Sequence, residues 1–320
     1  MDTHSGVPRI LATTDASPVD GTVRWAPVNS MWLGNMTLVA LVFGPQTLAW
    51  DTAALFFISC GVTLCLGHSL GIHRRLVHNS YDCPLWLEYV FVYCGTLVGM
   101  AGPITMVRTH DTRDWAQRQP QCHDYFAHRR SFWVDAWWQL HCKIALAHPP
   151  VFVPEARIAA SKFYSFLERT WMLQQLTIAI ALYLAGGWAW VVWGVCARVA
   201  TCVTGHWLVG HFAHRRGHQT YLVDNAGVQG HNIGLGGLGG LITMGECWHN
   251  NHHAFPGSAR LGLHAGQHDV GWWVLRVLHK IGWVWDLRLP SNLPLRSQVR
   301  VIDPNSNNKA AYELSTSLRH

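Results

Sequence analysis

Charge is what this 320-residue chain has least of: Asp, Glu, Lys and Arg make up 13% of it, about half the share typical of soluble globular proteins. A CxxC pair is also missing. Its nine scattered cysteines (Cys60, Cys65, Cys83, Cys94, Cys122, Cys142, Cys196, Cys202, Cys247) therefore suggest neither a zinc knuckle nor a redox dithiol, and read as reduced thiols in apolar surroundings. No basic run gathers the formal charge of +6, which argues against a nucleic-acid partner. The first thirty residues are polar, contain Pro8, Pro18 and Pro27, and lack the apolar core of a cleavable signal peptide. No solenoid-length repeat, haem-binding module, flavin fingerprint or iron–sulfur cysteine set occurs.

What the chain has in quantity is apolar surface and histidine: 49% of residues are hydrophobic, with 18 Trp and 21 His. Apolar stretches cover 31–50 and 53–72, broken at Asp51, and 171–186 and 189–209, divided at Gly186–Gly187. Each is close to the roughly 20 residues that a spanning helix requires. They predict an all-α integral membrane protein with four transmembrane helices in two hairpins. A further run, Leu85 to Val107, holds Glu88 and the Gly102–Pro103 pair, a pattern that suits a re-entrant or interfacial segment. Both hairpin turns lack Lys and Arg, whereas the segment between the hairpins is rich in them from Arg108 to Arg169. The positive-inside rule then places that segment and both termini in the cytoplasm. The expected organisation is a polar N-terminal segment (1–30), a membrane domain (31–290) and a solvated polar tail (291–320).

The histidines gather just beyond the ends of these spans. His73 and His78 follow the second span, with His68 before them. His110 opens the stretch His110-Asp111-Thr112-Arg113-Asp114, with His123 and His128 downstream. A third group runs from His206 to His218, and the last is His249-Asn250-Asn251-His252-His253. At 3.6 residues per turn, His249, His252 and His253 share one helical face. His73 and His78 stand about 140° apart on an ideal helix, which suits two neighbouring ions or a frayed helix end better than one shared site. About nine imidazoles without a thiolate favour a transition metal over calcium or magnesium, and two ions over one. For isolated rings such as His141, His264 and His279, a surface or hydrogen-bonded role is the simpler reading.

The stretch Gly71-Ile72-His73-Arg74-Arg75-Leu76-Val77-His78 resembles the HRxxxH element of the membrane fatty-acid desaturase family, most closely its acyl-CoA desaturase branch. Gly245-Glu246-Cys247-Trp248-His249-Asn250-Asn251-His252-His253-Ala254-Phe255-Pro256 is similar to that family's GEGxHNxHHxFP box, and the resemblance runs from about Trp32 to Pro290. It implies a cytosolic helical cap over four spans, holding two irons through about nine histidines. By position, His73, His78, His110, His214, His249, His252 and His253 carry over as ligands. It further implies iron- and O2-dependent desaturation of a fatty acyl chain, carried on coenzyme A or a lipid and held in a narrow tunnel between the spans. Electrons would come from a separate ferredoxin- or cytochrome-like donor.

One box departs from that pattern. Where the family has HxxHH, this chain reads His110-Asp111-Thr112-Arg113-Asp114, so two implied ligands are replaced by Arg113 and Asp114. Three accounts are open. Asp114, four residues after His110 and on the same helical face, supplies a substitute ligand, or His123 or His128 swings in from the following loop. Alternatively, one metal site survives and the protein does different oxidative chemistry or serves as a non-catalytic metal- or lipid-binding protein; acyl hydroxylation within the same superfamily is a separate alternative that the histidine boxes do not decide. Finally, Arg113 and Asp114 form an ion pair in place of a lost metal. Glu246 is expected to accept the second ring N–H of a ligand histidine, with Asn250 in a similar supporting role. Arg74, Arg108 and Arg129 are candidates for a phosphate-bearing substrate headgroup.

Overall fold

The computed structural model describes residues 9–294 and 296–302, and most of them are helical. The elements run β1 (Ile10–Leu11), β2 (Gly21–Trp25), α1 (Pro27–Phe43), α2 (Trp50–Val77), α3 (Leu85–Thr96), α4 (Pro103–Arg118), α5 (Phe132–His141), β3 (Cys142–Leu146) and β4 (Val151–Phe152). The apolar stretch Lys162–Ala213 follows as two arms, α6 (162–186) and α7 (188–213). Then come β5 (Tyr221–Val223), α8 (His249–Ala254), α9 (Val270–Lys280) and β6 (Val299–Val301).

Among the described residues, Trp50–Val77 and Lys162–Ala213 are long and apolar enough to cross a membrane; α1 is apolar but 17 residues long. These long apolar helices suggest membrane association. The second stretch folds back at Gly187, whose φ of 71° and ψ of −162° suit glycine alone. The arms pack closely enough that a Cβ on Gly194 would meet Leu182 at 2.6 Å. At the same end, Trp190 Nε1 donates to Asp51 Oδ2 (2.7 Å) and Phe43 packs edge-on against Trp188, tying the α6–α7 turn to the α1–α2 turn.

The Leu85–Val107 run enters the helix bundle and turns back. α3 lies tightly against α2, where a Cβ on Gly67 or Gly71 would stand 2.4–2.5 Å from the backbone of Cys94 or Phe91. Past the end of α3, the Leu97 carbonyl accepts from Gln175 Nε2 (2.9 Å) and from Arg198, which also reaches Gln175 Oε1 (2.6 Å) and Gly194 O (2.7 Å). At about 1.5 Å per helical residue, Gln175 and Arg198 lie roughly 16 Å from the Gly186–Gly187 turn, well inside the two apolar arms. The end of a helix in that setting needs partners for its carbonyls, and a cation also complements its dipole. From there α4 climbs back to carry His110 to the end of α2.

The all-helical expectation is corrected by three antiparallel strand pairs: β1 with β4, β2 with β3, and β5 with β6. The N-terminal residues and the chain after α5 satisfy their backbone groups on each other instead of on water. Part of the supposed solvated tail is likewise built in, since Val299–Val301 pairs with Tyr221–Val223; residues 303–320 lie outside the described residues. Among the described residues, the largest buried apolar cluster, including Leu70, Leu87, Phe91, Trp272 and Leu275, joins α2, α3 and α9.

Candidate metal centre

The last sixteen residues of α2, Val62–Val77, are wound with i→i+5 hydrogen bonds, and His78 N donates to His73 O at 3.0 Å. This wider turn corrects the ideal-helix reading of His73 and His78. Residues five apart come round to nearly the same side, and the two rings stand 4.8 Å centre to centre. His110 from α4 and His252 from α8 complete the cluster: all four offer a ring nitrogen within 4.8 Å of the others. His78 Nε2, His110 Nδ1 and His252 Nδ1 are buried without a hydrogen-bond partner. An unsatisfied buried polar atom costs about 1–3 kcal/mol, so several in one cluster fit a group of ligands facing a cation.

A second cluster adjoins the first. His214, His249 and His253 meet so that His249 Nε2 lies 3.1 Å from both His214 Nε2 and His253 Nε2. One ring nitrogen carries at most one proton, so it cannot donate to both neighbours, whereas a shared cation takes a lone pair from each. His214 Nδ1 donates to the Gly210 carbonyl at 2.7 Å, which leaves Nε2 as the lone-pair nitrogen. Burial, and then the neighbouring rings, hold His249 and His252 well below the usual imidazole range. Burial, and then Arg118 and Arg296, bring His253 down to about 3. These rings are neutral at physiological pH, as ligands must be. Both clusters therefore fit transition-metal ions by donor type, burial and convergence.

Beside the second cluster lies a closed hydrogen-bond hub. Asp135, fully buried on α5, receives His128 Nδ1 (3.0 Å), His211 Nδ1 (2.8 Å) and Trp207 Nε1 (2.8 Å) on a single oxygen. Burial alone would raise this carboxyl, but these donors hold it below the usual carboxylate range. The hub keeps His128 in a left-handed conformation at φ 51°, rare for a residue with a side chain. The His128 ring stacks on His214 at 5.3 Å and 8°. The three N–H groups leave this carboxylate little to offer an ion. Its sequence signal was Asp135 itself, one acid within the aromatic run Phe132-Trp133-Val134-Asp135-Ala136-Trp137-Trp138.

Several expected positions differ from their reading. Arg113 donates to His128 Nε2 (3.1 Å) and Gln139 Oε1 (2.7 Å), while Asp114 pairs with Arg118 at 2.7 Å. Arg113 and Asp114 thus do not pair with each other. Asp114 joins neither imidazole cluster, because Arg118 lies one turn further along the same helix and claims its carboxylate. His123 accepts from Tyr125 N and packs on Trp138, away from both clusters.

Arg74 is no headgroup ligand: it is fully buried, paired with Asp269 (2.7 Å) and bonded to Ala259 O (2.8 Å). Arg108 and Arg129 are exposed, and Arg129 donates to Gly227 O. Glu246 Oε2 lies 2.6 Å from His73 Nδ1, and Ser69 Oγ donates to Oε1 at 2.5 Å. Asn250 touches no imidazole; it clamps the loop through Thr220 N, Tyr221 N, Tyr221 O and Gly230 O.

Sequence reasoning gave no role to Arg9. It is buried against the end of α2, donating to Leu76 O and Val77 O and pairing with Asp111 at 2.7 Å. Arg296 does the same for α8, donating to His253 O and Ala254 O (both 2.8 Å). Two arginines remote in sequence thus cap the helix ends that carry the histidines.

No known family profile matches the sequence. It is 32% identical over 278 residues to the sn-1 stearoyl-lipid 9-desaturase of Anabaena variabilis, covering 86% of this chain and 98% of that one. It is 32% identical over 262 residues to the acyl-CoA 5-desaturase of Anemone leveillei, covering 81% and 78%. The palmitoyl-monogalactosyldiacylglycerol delta-7 desaturase of Arabidopsis thaliana is 33% identical over 258 residues, covering 80% and 67%.

Proposed function

This chain belongs to the membrane fatty acid desaturase family and acts in fatty acyl desaturation, and we propose that it does so with one iron in each imidazole cluster. The observation that carries this reading is the pairing of a four-histidine and a three-histidine cluster, buried or half-buried and side by side, with the His249 and His252 rings 5.4 Å apart. Iron bound there supplies the oxidant that takes two hydrogens from adjacent methylenes, while O2, two further electrons and two protons complete the balance to two waters.

The chain's own residues hold and orient those ligands. Glu246, fixed by Ser69, orients His73; the Gly210 carbonyl orients His214; Arg9 and Arg296 fix the two helix ends. We place the acyl chain between four spans in two hairpins, α1 with α2 and α6 with α7, with the histidines and both termini on the cytoplasmic side. Lys and Arg are absent from both far turns, which supports that orientation. Exposed Arg108 and Arg129 are the headgroup candidates. The carrier is a glycerolipid or coenzyme A, as the names of the relatives suggest. A separate redox protein delivers the electrons.

Expression in a host without desaturases, with an electron donor and iron supplied, is expected to yield new double bonds. Their appearance first in glycerolipid or in the acyl-CoA pool identifies the carrier. An unchanged profile from iron-loaded protein refutes the reading.

A further inference from the structure

The two clusters differ in more than ligand number. Beside the first stands a carboxylate, Glu246, 2.6 Å from His73. Beside the second, the Asp135 carboxylate is offset by a guanidinium across the His128 ring. Asp135 accepts a hydrogen bond from His128 Nδ1–H, so Nε2 of that ring is left with a lone pair, the arrangement in which histidine ordinarily meets a metal. Here the lone pair faces Arg113 Nη1 at 3.1 Å. Arg113 has no carboxylate within ion-pair distance among the described residues; its other nitrogen donates to the neutral Gln139. The His128 ring that holds it lies flat on His214, and a Cβ on Gly210, whose carbonyl orients His214, would stand 3.8 Å from Arg113 Nη1.

We propose that Arg113 is a tethered cation that sets the two metal centres apart, so that the His73/His78/His110/His252 centre keeps its ion while the His214/His249/His253 centre exchanges it. The inference rests on the iron reading above. Three imidazoles hold an ion less firmly than four, and the Arg113 charge cancels the attraction that the Asp135 carboxylate, on the same His128 ring, would otherwise exert on a divalent cation in a poorly screened site. Arg113 is a positioning residue, since it touches neither cluster directly.

The test uses full-length protein in detergent micelles, loaded with ferrous iron and titrated with a chelator, with iron per chain counted by atomic emission. The wild type should lose its two ions in separate steps, at chelator concentrations roughly tenfold or more apart. Arg113→Gln, which keeps an amide to donate to His128 but removes the charge, should shift the labile step upward and leave the tight step in place. Arg113→Lys should retain the wild-type separation. His253→Ala should abolish the labile step, and His78→Ala should weaken the tight one. Release of both ions in one step, or an unchanged separation in Arg113→Gln, overturns the proposal. If Arg113→Gln does not fold, a labile ion that survives His253→Ala overturns it equally. Protein that takes up no iron refutes the iron reading itself, a different result from two ions leaving together.

Discussion

Replacing Asp135 by asparagine isolates the worth of the hub beside the second cluster. The carboxylate takes three N–H groups on one oxygen, from His128, Trp207 and His211, at 2.8–3.0 Å. An asparagine oxygen in that place accepts the same donors as a neutral group. Hydrogen bonds to charged groups contribute about 1.5–3 kcal/mol and neutral ones about 0.5–1.5, so roughly 1 kcal/mol is lost per bond and about 3 in all. The new amide NH2 also faces Gln139 Nε2, now 3.5 Å from Asp135 Oδ1, donor against donor. Against this, an amide is cheaper to bury than a carboxylate, leaving a net loss of about 2–3 kcal/mol. At about 2 °C per kcal/mol for a chain of this size, Asp135→Asn should melt about 4–6 °C lower. The assay is tryptophan fluorescence on heating in detergent at one fixed scan rate, because irreversible unfolding makes the midpoint rate-dependent. Trp207→Phe, which removes one donor, should show a smaller drop. An Asp135→Asn midpoint within a degree of the wild type would refute the view that this carboxylate organises its surroundings.

Arg74→Met removes the guanidinium from the buried Asp269 carboxylate, which keeps the N–H groups of Leu261, Gly262 and Trp272 as donors, and should destabilise by about 1.5–3 kcal/mol; a neutral variant on chemical denaturation contradicts the pairing. Gly71→Ala drives a methyl to 2.5 Å from the Phe91 backbone and should cost about 1–3 kcal/mol, whereas Gly61→Ala, with open space around its Cβ, should be harmless. Equal effects in melting experiments would mean that α2 and α3 are not held in close contact. Burial, despite the hydrogen bond His128 donates to Asp135, holds His128 at about 4, below the free imidazole value near 6.5. The unfolded chain therefore binds this proton more readily. The contribution of His128 is complete above pH 6.5 and is lost as pH falls from there through 4. His128→Gln should flatten the melting profile across that window, and an unflattened profile would assign the acid sensitivity elsewhere.

Much of the imidazole clustering was legible because its histidines sit in local motifs: His249, His252 and His253 converge at any ordinary helical pitch. His73 and His78 did not follow the ideal pitch, since the i→i+5 winding of α2 arises where the helix packs on α3 through Gly67 and Gly71. Asp114 and Arg74 were misjudged because each has a competing partner, Arg118 one turn away and Asp269 on a remote loop. Periodicity gives apolar length but not the partners of a polar group, so the strand pairs of the cap, Arg9 and the Asp135 hub became visible only once distant segments were brought together.

The guanidinium of Arg198 has a consequence for how the chain enters the membrane. An arginine at the centre of a lone apolar helix costs about 2.5–3.5 kcal/mol to insert, and in the finished protein its partners beyond the Gly194 carbonyl of its own helix are Gln175 on the other arm and the Leu97 carbonyl at the end of α3. The second arm is therefore a poor candidate for independent, helix-by-helix integration. On the proposed four-span topology, insertion of this arm is favoured by the arrival of its neighbours, which bring Gln175 and the Leu97 carbonyl to the guanidinium.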